Sequence, residues 1–370
     1  MTALGFAHGA YSSGWFGFER PDDRQVVTWG ALNGVPVEIT LDTGVDRTVI
    51  DAATAARCGI AALGDTVSVG LTGRVEGRTS GPVHLQLQNL AITMREASLF
   101  DLGALSAING RPVGVVLGND LFGRAAVSFD FGADRMLVAE PSTLMPHPGF
   151  AEIPLTREPE LGRLLIPASL GKGVALEAVA DLGNDAPLYM SAEFAAQHRL
   201  LEGRPLSRSM SVGAEGVGVD TVFTLPSLEV GGVVLRQVPT RIPSSWTAKA
   251  PAVIGLPIFA RFDLTFCAPR DRLWMKAPAR RIARPFGKDR SGLAVTRAGD
   301  RLEIAFVAPR SPASRVGLRP GDAITSVNGQ ILDGGFLANR PRLGARAGGA
   351  RLALGLADGR AVSLILADYY

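Results

Sequence analysis

The sequence predicts a mainly β chain, with two similar lobes followed by a smaller β module, and three observations carry that prediction. Apolar runs are short, alternate at period 2 and are broken by 44 glycines and 24 prolines, the punctuation of short strands and turns. One set of landmarks occurs twice along the chain, so much of it reads as an internal repeat. With 370 residues, 46% hydrophobic and 20% charged, the chain has material for sizeable cores in two or three globular domains.

The first landmark is the strand Val35-Pro36-Val37-Glu38-Ile39-Thr40-Leu41, whose alternating Val35, Val37, Ile39 and Leu41 share one face and deliver Asp42 onto the turn Thr43-Gly44. Its echo is Val174 to Ala180, delivering Asp181 onto Leu182-Gly183. Alone, an aspartate before glycine is a turn former. Here each is followed at a similar distance by a helix N-cap, Asp51 in one copy and Ser191 in the other, then by a short helix, Ala52–Arg57 or Ala192–His198.

Next come two Gly-rich hairpins opened by Ser68-Val69-Gly70 and Ser211-Val212-Gly213, with Gly70, Gly73 and Gly77 in the first and Gly213, Gly216 and Gly218 in the second. Both read as mobile flaps. Val115-Val116-Leu117-Gly118 is answered by Ala252-Val253-Ile254-Gly255. Phe122 and Phe259, Phe129 and Phe266, Asp134 and Asp271, and Pro141 and Pro278 are each 137 apart, while Asp42 and Asp181 are 139 apart. The predicted organisation is an N-terminal extension over 1–24, a first lobe over 25–145, a second over 146–278, and a linker with its terminal module over 279–370. Within it the proline-rich connector Glu140 to Glu160 is expected to be extended.

Charge and composition exclude several function classes. The net charge is +3, and six basic residues against Asp289 lie between Lys276 and Arg290, so the rest is slightly acidic and no general nucleic-acid surface is expected. That basic stretch reads as a solvated hinge, with a membrane-surface or acidic-partner role as the alternative. No apolar run approaches the roughly 18 residues of a membrane helix. The two cysteines, Cys58 and Cys267, and the four histidines form no metal-ligand spacing, so no metal is expected, and a disulfide between the cysteines is not favoured. His8, His84, His147 and His198 lack a Ser or Cys partner motif, which argues against serine or cysteine hydrolases. Residues 2–18 hold no Lys or Arg and no long apolar run, so no signal peptide is read there. The aromatic start, Tyr11 to Phe18, either packs on a lobe or covers a cleft.

The recurring Asp-turn-Gly, capped helix, Gly-rich flap and apolar-apolar-Gly pattern over residues 25–278 resembles the retropepsin-like aspartic proteases, with two acid-protease lobes in one chain. The resemblance implies pepsin-like β-barrel lobes around a peptide cleft, Asp42 and Asp181 as the catalytic pair within one chain, and Thr43, Gly44, Leu182 and Gly183 as its supporting loops. Two such carboxyls sharing a proton supply both the base that activates water and the acid that protonates the amide. Leu182 stands where the family carries a Thr or Ser, so only Thr43 offers a bracing hydroxyl. Peptide or protein substrates, no cofactor and an exported or periplasmic setting are implied. Oligomeric state is left open, and so is a non-catalytic peptide-binding role.

The last segment resembles a PDZ domain on Ser311-Pro312-Ala313-Ser314-Arg315-Val316-Gly317-Leu318-Arg319-Pro320-Gly321-Asp322, the strand Ala323 to Val327 and the turn Asn328-Gly329. The resemblance makes Ser291 and Gly292, Leu293, Ala294 and Val295 the loop and strand that receive a C-terminal peptide ligand as an added strand. The groove helix is expected around 336–347, interrupted by Pro341 and Gly344.

Overall fold

Burial of alternate residues places the strand Val35–Leu41 at the centre of a nine-stranded sheet, since Val37, Ile39 and Leu41 are buried to within 2% exposure. The computed structural model describes residues 11–109, 111–144, 148–334 and 343–370. Val35–Leu41 runs antiparallel to Val26–Leu32 and parallel to Val115–Leu117, which in turn runs antiparallel to Val49–Asp51. An eight-stranded sheet repeats this pairing. There Val174–Asp181 lies antiparallel to Leu164–Leu170 and parallel to Ala252–Gly255, which is antiparallel to Leu188–Met190. Each parallel neighbour runs into the glycine of an apolar-apolar-Gly run, Gly118 just after one strand and Gly255 at the end of the other, so each aspartate leaves its sheet beside a glycine-bearing turn.

A six-stranded sheet joins the two halves. Strand Ala126–Asp130 runs antiparallel to Asp263–Cys267 with Val127 opposite Phe266, and the Ser128 and Thr265 hydroxyls hydrogen-bond across the joint at 2.8 Å. Phe129 and Phe266 of these strands pack with Phe122 and Phe259 as fully buried rings, edge to face in the 5.8 Å pairs Phe122–Phe266 and Phe259–Phe266 and stacked in Phe122–Phe129. Each such ring contributes on the order of 1.5 to 3 kcal/mol by leaving water. One apolar core therefore runs through both halves.

Several expectations need correction. The connector 140–160 is not simply extended: Ala151–Pro154 pairs with Arg272–Lys276 in the joining sheet, and Thr156–Arg157 pairs with Leu164–Leu170. Met145 to His147, where the boundary between lobes was expected, lie outside the described residues. The basic stretch is no free hinge. It folds back as the turn of helix Ala279–Ile282, with Arg281 paired to Asp263, Arg261 donating to the carbonyls of Arg281 and Ile282, and Phe286 buried beneath the Arg261 guanidinium. At the aromatic start, Phe16–Gly17 pairs with Arg135–Ala139 of the joining sheet, so this segment packs on the body. Cys58 and Cys267 are both free and buried.

The terminal module has its own core of Leu302, Ile304, Leu318, Ile324, Leu352, Leu354 and Leu364. Its sheet runs in the order Leu293–Ala298, Arg301–Val307, Ala323–Val327, Arg351–Leu356, Ala361–Ile365. Asn328 and Gly329 both take positive φ (52° and 81°), the hairpin geometry that an Asn-Gly pair favours. The Ser311 side chain accepts from the Ser314 amide and caps helix Pro312–Arg315. Residues 335–342, which include most of the expected groove helix with Phe336 and Pro341, lie outside the described residues, and Leu343–Ala345 forms a short 3-10 turn. The Ser207 hydroxyl donates to the Pro309 carbonyl at 3.0 Å and Arg310 to the Leu206 carbonyl at 2.8 Å, tying the module to the second half.

Candidate active site

The two aspartates meet. The Gly44 amide donates to Asp42 Oδ1 at 2.7 Å and the Gly183 amide to Asp181 Oδ1 at 2.9 Å, so each turn clamps its own carboxyl. Each carboxyl also lies over the other turn's glycine: a Cβ on Gly44 would stand 2.6 Å from Asp181 Cγ, and one on Gly183 would collide with the Asp42 carboxyl. Only glycine leaves room for this crossed packing. The carboxyls face each other within hydrogen-bonding reach.

Thr43 holds the crossing together. Its fully buried hydroxyl donates to the Ala180 carbonyl at 2.6 Å and accepts from the Leu182 amide at 2.9 Å, reaching from the first turn into the second. Leu182 returns no such bond. It is fully buried in the main apolar core, where it fills space that a hydroxyl would leave polar and unmatched.

Burial pushes the Asp42 carboxyl above its ordinary range, and burial together with the Asp42 charge pushes Asp181 well above it. The pair therefore holds a proton more tightly than an isolated aspartate, as two like charges in one enclosed place require. Arg163 opposes both shifts. Its side chain is buried, with Glu158 3.9 Å away and also buried, and its guanidinium donates to the Val69 and Gly70 carbonyls at 2.5 and 3.0 Å.

Those carbonyls belong to the first hairpin, Ala62–Val69 with Arg74–Ser80, whose tip closes through Gly70 N to Gly73 O at 2.9 Å. The tip is strapped to the second half. Ser245 and Thr247 hydroxyls donate to the Thr72 and Gly70 carbonyls, the Thr247 amide donates to the Leu71 carbonyl at 3.0 Å, and the Leu71 side chain packs on an apolar cluster that includes Val179, Tyr189 and Val253. The second hairpin, Ser207–Gly213 with Gly216–Val230, meets it through Glu215, whose carboxylate accepts from the Thr72 amide at 3.2 Å and lies against Gly70, Gly73 and Gly213. Gly216 takes a φ of +111° at that tip, and Gly218 lies within its strand opposite Ser211. Gly77 is not at a tip. It sits inside a strand pressed so close to Phe100 that a Cβ would strike the ring.

A cavity of about 810 Å³ contains both carboxyls. One wall is apolar, with Val49, Phe100, Leu102 and Val113, and the opposite wall carries Val179 and Tyr189. Leu293, Ala294 and Val295 also line the cavity. Two buried carboxyls with raised proton affinity, beside apolar pockets, have the chemistry to take a proton from water and to give one to a leaving group. Among the described residues no cluster of His, Cys, Asp and Glu is arranged to hold a metal ion. No helix among them is long and apolar enough to cross a membrane.

Arg163, Leu71, Glu215 and the 245–247 strap carry no sequence signal. Arg163 sits at the end of a proline-rich connector, and its partners are 93 and 94 residues away.

Comparison with known families defines the class where the first aspartate lies. Residues 29–121 match the aspartyl protease family, so a domain of that family is present, containing the Asp42 turn and the first hairpin. Residues 303–333 match the PDZ domain, and the chain thus joins an aspartyl-protease-family domain to a separate PDZ domain suited to peptide or protein partners. No curated protein matches the chain.

Proposed function

We propose that the chain is an aspartic endopeptidase in which Asp42 and Asp181, supplied by two retropepsin-like lobes of one polypeptide, hydrolyse extended peptide segments. The crossed packing of each carboxyl over the other's glycine supports this reading, because it brings together two carboxyls from separate halves, as a proton-sharing pair requires. In the mechanism, the ionised member takes a proton from water as the water oxygen bonds to the amide carbon, and the protonated member gives its proton to the carbonyl oxygen. The C–N bond then breaks as the nitrogen takes the proton removed from water, and the carboxyl that gave its proton recovers one from the re-forming carboxyl group. The lobes correspond to residues 25–145 and 146–278, and the terminal module to 279–370. Substrate enters when the first hairpin lifts, which breaks the bonds from Arg163, Ser245 and Thr247 to its carbonyls.

A second reading, a peptide-binding protein without hydrolysis, draws on one observation: Leu182 leaves the turn pair braced by a single hydroxyl. Digestion of an unfolded protein mixture, with new chain ends identified by mass spectrometry, separates the two. New ends with wild type that vanish with Asp42→Asn and with Asp181→Asn support the endopeptidase. Identical products from wild type and both variants would exclude it.

A further inference from the structure

The strand Leu293–Ala298 lies at the edge of its sheet, paired on one side with Arg301–Val307 and, among the described residues, with no strand on the other. An edge of this kind presents backbone N–H and C=O groups to any extended chain that comes alongside. This edge faces the cavity that holds Asp42 and Asp181: Leu293, Ala294 and Val295 line it, with Leu105 of helix Gly103–Asn109 from the first half beside them. The active-site cleft and the edge of the PDZ domain are therefore one continuous space.

The loop leading into that strand is already occupied. The Asp289 carboxylate accepts from the Ser291 amide at 3.0 Å, the Ser291 hydroxyl at 2.6 Å, the Gly292 amide at 2.7 Å and the Tyr369 hydroxyl at 2.8 Å. The Leu293 amide donates in turn to Ser291 Oγ at 3.1 Å. Capture of a peptide's terminal carboxylate needs free N–H donors in a loop of this kind. Here three successive amides are engaged, two of them by the Asp289 side chain.

We infer that the PDZ edge strand Leu293–Ala298 binds an internal extended segment of the same polypeptide whose peptide bond lies at the Asp42–Asp181 pair, and not a free C-terminus. The occupant's identity as substrate rests on the proteolytic reading above. Its attachment as an added strand rests on the open edge, the occupied loop and the shared cavity. Main-chain hydrogen bonds along a strand are indifferent to where the segment lies in its chain, so a substrate is selected by having an extended, unfolded stretch beside its cleavage site.

The test uses the full chain carrying Asp42→Asn, and fluorescently labelled peptides made of a short core alone or of that core extended by alternating valine and serine. Each extended peptide is made with a free carboxylate end, with a carboxamide end, and with alternate extension amides N-methylated. The extension should tighten binding by about tenfold or more. The gain should be equal for the two ends and lost on N-methylation, and hydrogen exchange should slow at residues 293–298 with the extended peptide alone. Binding no tighter than the core, or a gain that requires the free carboxylate, overturns the inference. Because binding is read on an inactive variant, extended peptides that bind in this way but escape cleavage by wild type would sink the proteolytic reading and leave the docking intact. Core peptides cleaved by wild type without any effect of extension would do the reverse.

Discussion

Replacing Thr43 with valine keeps the shape of the side chain and removes only the hydroxyl that spans the two aspartate turns. Two buried groups lose their partner, the Ala180 carbonyl now bonded at 2.6 Å and the Leu182 amide at 2.9 Å. An unsatisfied buried group costs about 1 to 3 kcal/mol, so with two of them Thr43→Val should lose roughly 2 to 6 kcal/mol of stability. Thr43→Ser, which keeps the hydroxyl and drops one methyl group, should lose only about 1 kcal/mol. All four tryptophans, Trp15, Trp29, Trp246 and Trp274, precede the PDZ domain, so tryptophan fluorescence in a urea titration reads the body of the protein without it. If proteolysis is assayed in parallel, the loosened turns should lower turnover by about tenfold or more in Thr43→Val, since small misplacements of reacting groups are costly. A Thr43→Val chain within about 0.5 kcal/mol of wild type would refute the argument, because that is the range of substitutions that touch nothing important.

Burial and the neighbouring charge raise Asp181, so the folded chain binds protons more tightly than the unfolded one; its contribution to stability is fully present below the unfolded carboxyl range and is lost as pH rises through the raised folded value. Asp181→Asn should therefore melt higher than wild type at neutral pH, with the difference shrinking on acidification, and a pH-independent difference would count against a proton-sharing pair. Arg163→Met removes the cation that pulls both carboxyls down, so the pH-rate profile should move to higher pH and KM should rise as the first hairpin loosens; an unmoved profile would separate Arg163 from the pair. Leu182→Thr places a hydroxyl in the apolar core and should lower stability by about 1 to 3 kcal/mol without raising turnover, as read by melting and initial rates; faster turnover would show that a second brace outweighs the packing it replaces.

The repeating parts of the body were legible because local chemistry repeats with them. Asp51 accepts from the Thr54 amide and Ser191 from the Phe194 amide, as their positions before Ala-rich segments imply, and the helices run Ala52–Arg57 and Ala192–Gln197. The strand Ala323–Val327 and its Asn-Gly turn follow from the same local rules. The aspartate turns were legible for the same reason. What was not legible depends on contacts between distant segments. Pro154 reads as a strand breaker, yet Ala151–Pro154 is the outer strand of its sheet, where a missing N–H is tolerated. Arg281 reads as a solvated charge, but the fold supplies it with the Phe262 carbonyl and Asp263, and Arg261 reaches back to the carbonyls of the same segment. The strapping of the first hairpin by residues 245–247 pairs groups more than 170 residues apart, which no local pattern records.

The sheet that joins Ala126–Asp130 to Asp263–Cys267 has an evolutionary consequence. Where two identical subunits build a cleft, every change in the gene is written on both walls at once, and a change that helps one wall can spoil the other. Here the walls are encoded separately and held together by one backbone ladder. The differences between them, Thr43 facing Leu182 and Leu71 on one hairpin tip against Glu215 on the other, are differences that a symmetric assembly is unable to inherit. The two sides of the cavity in such a chain are free to drift one residue at a time.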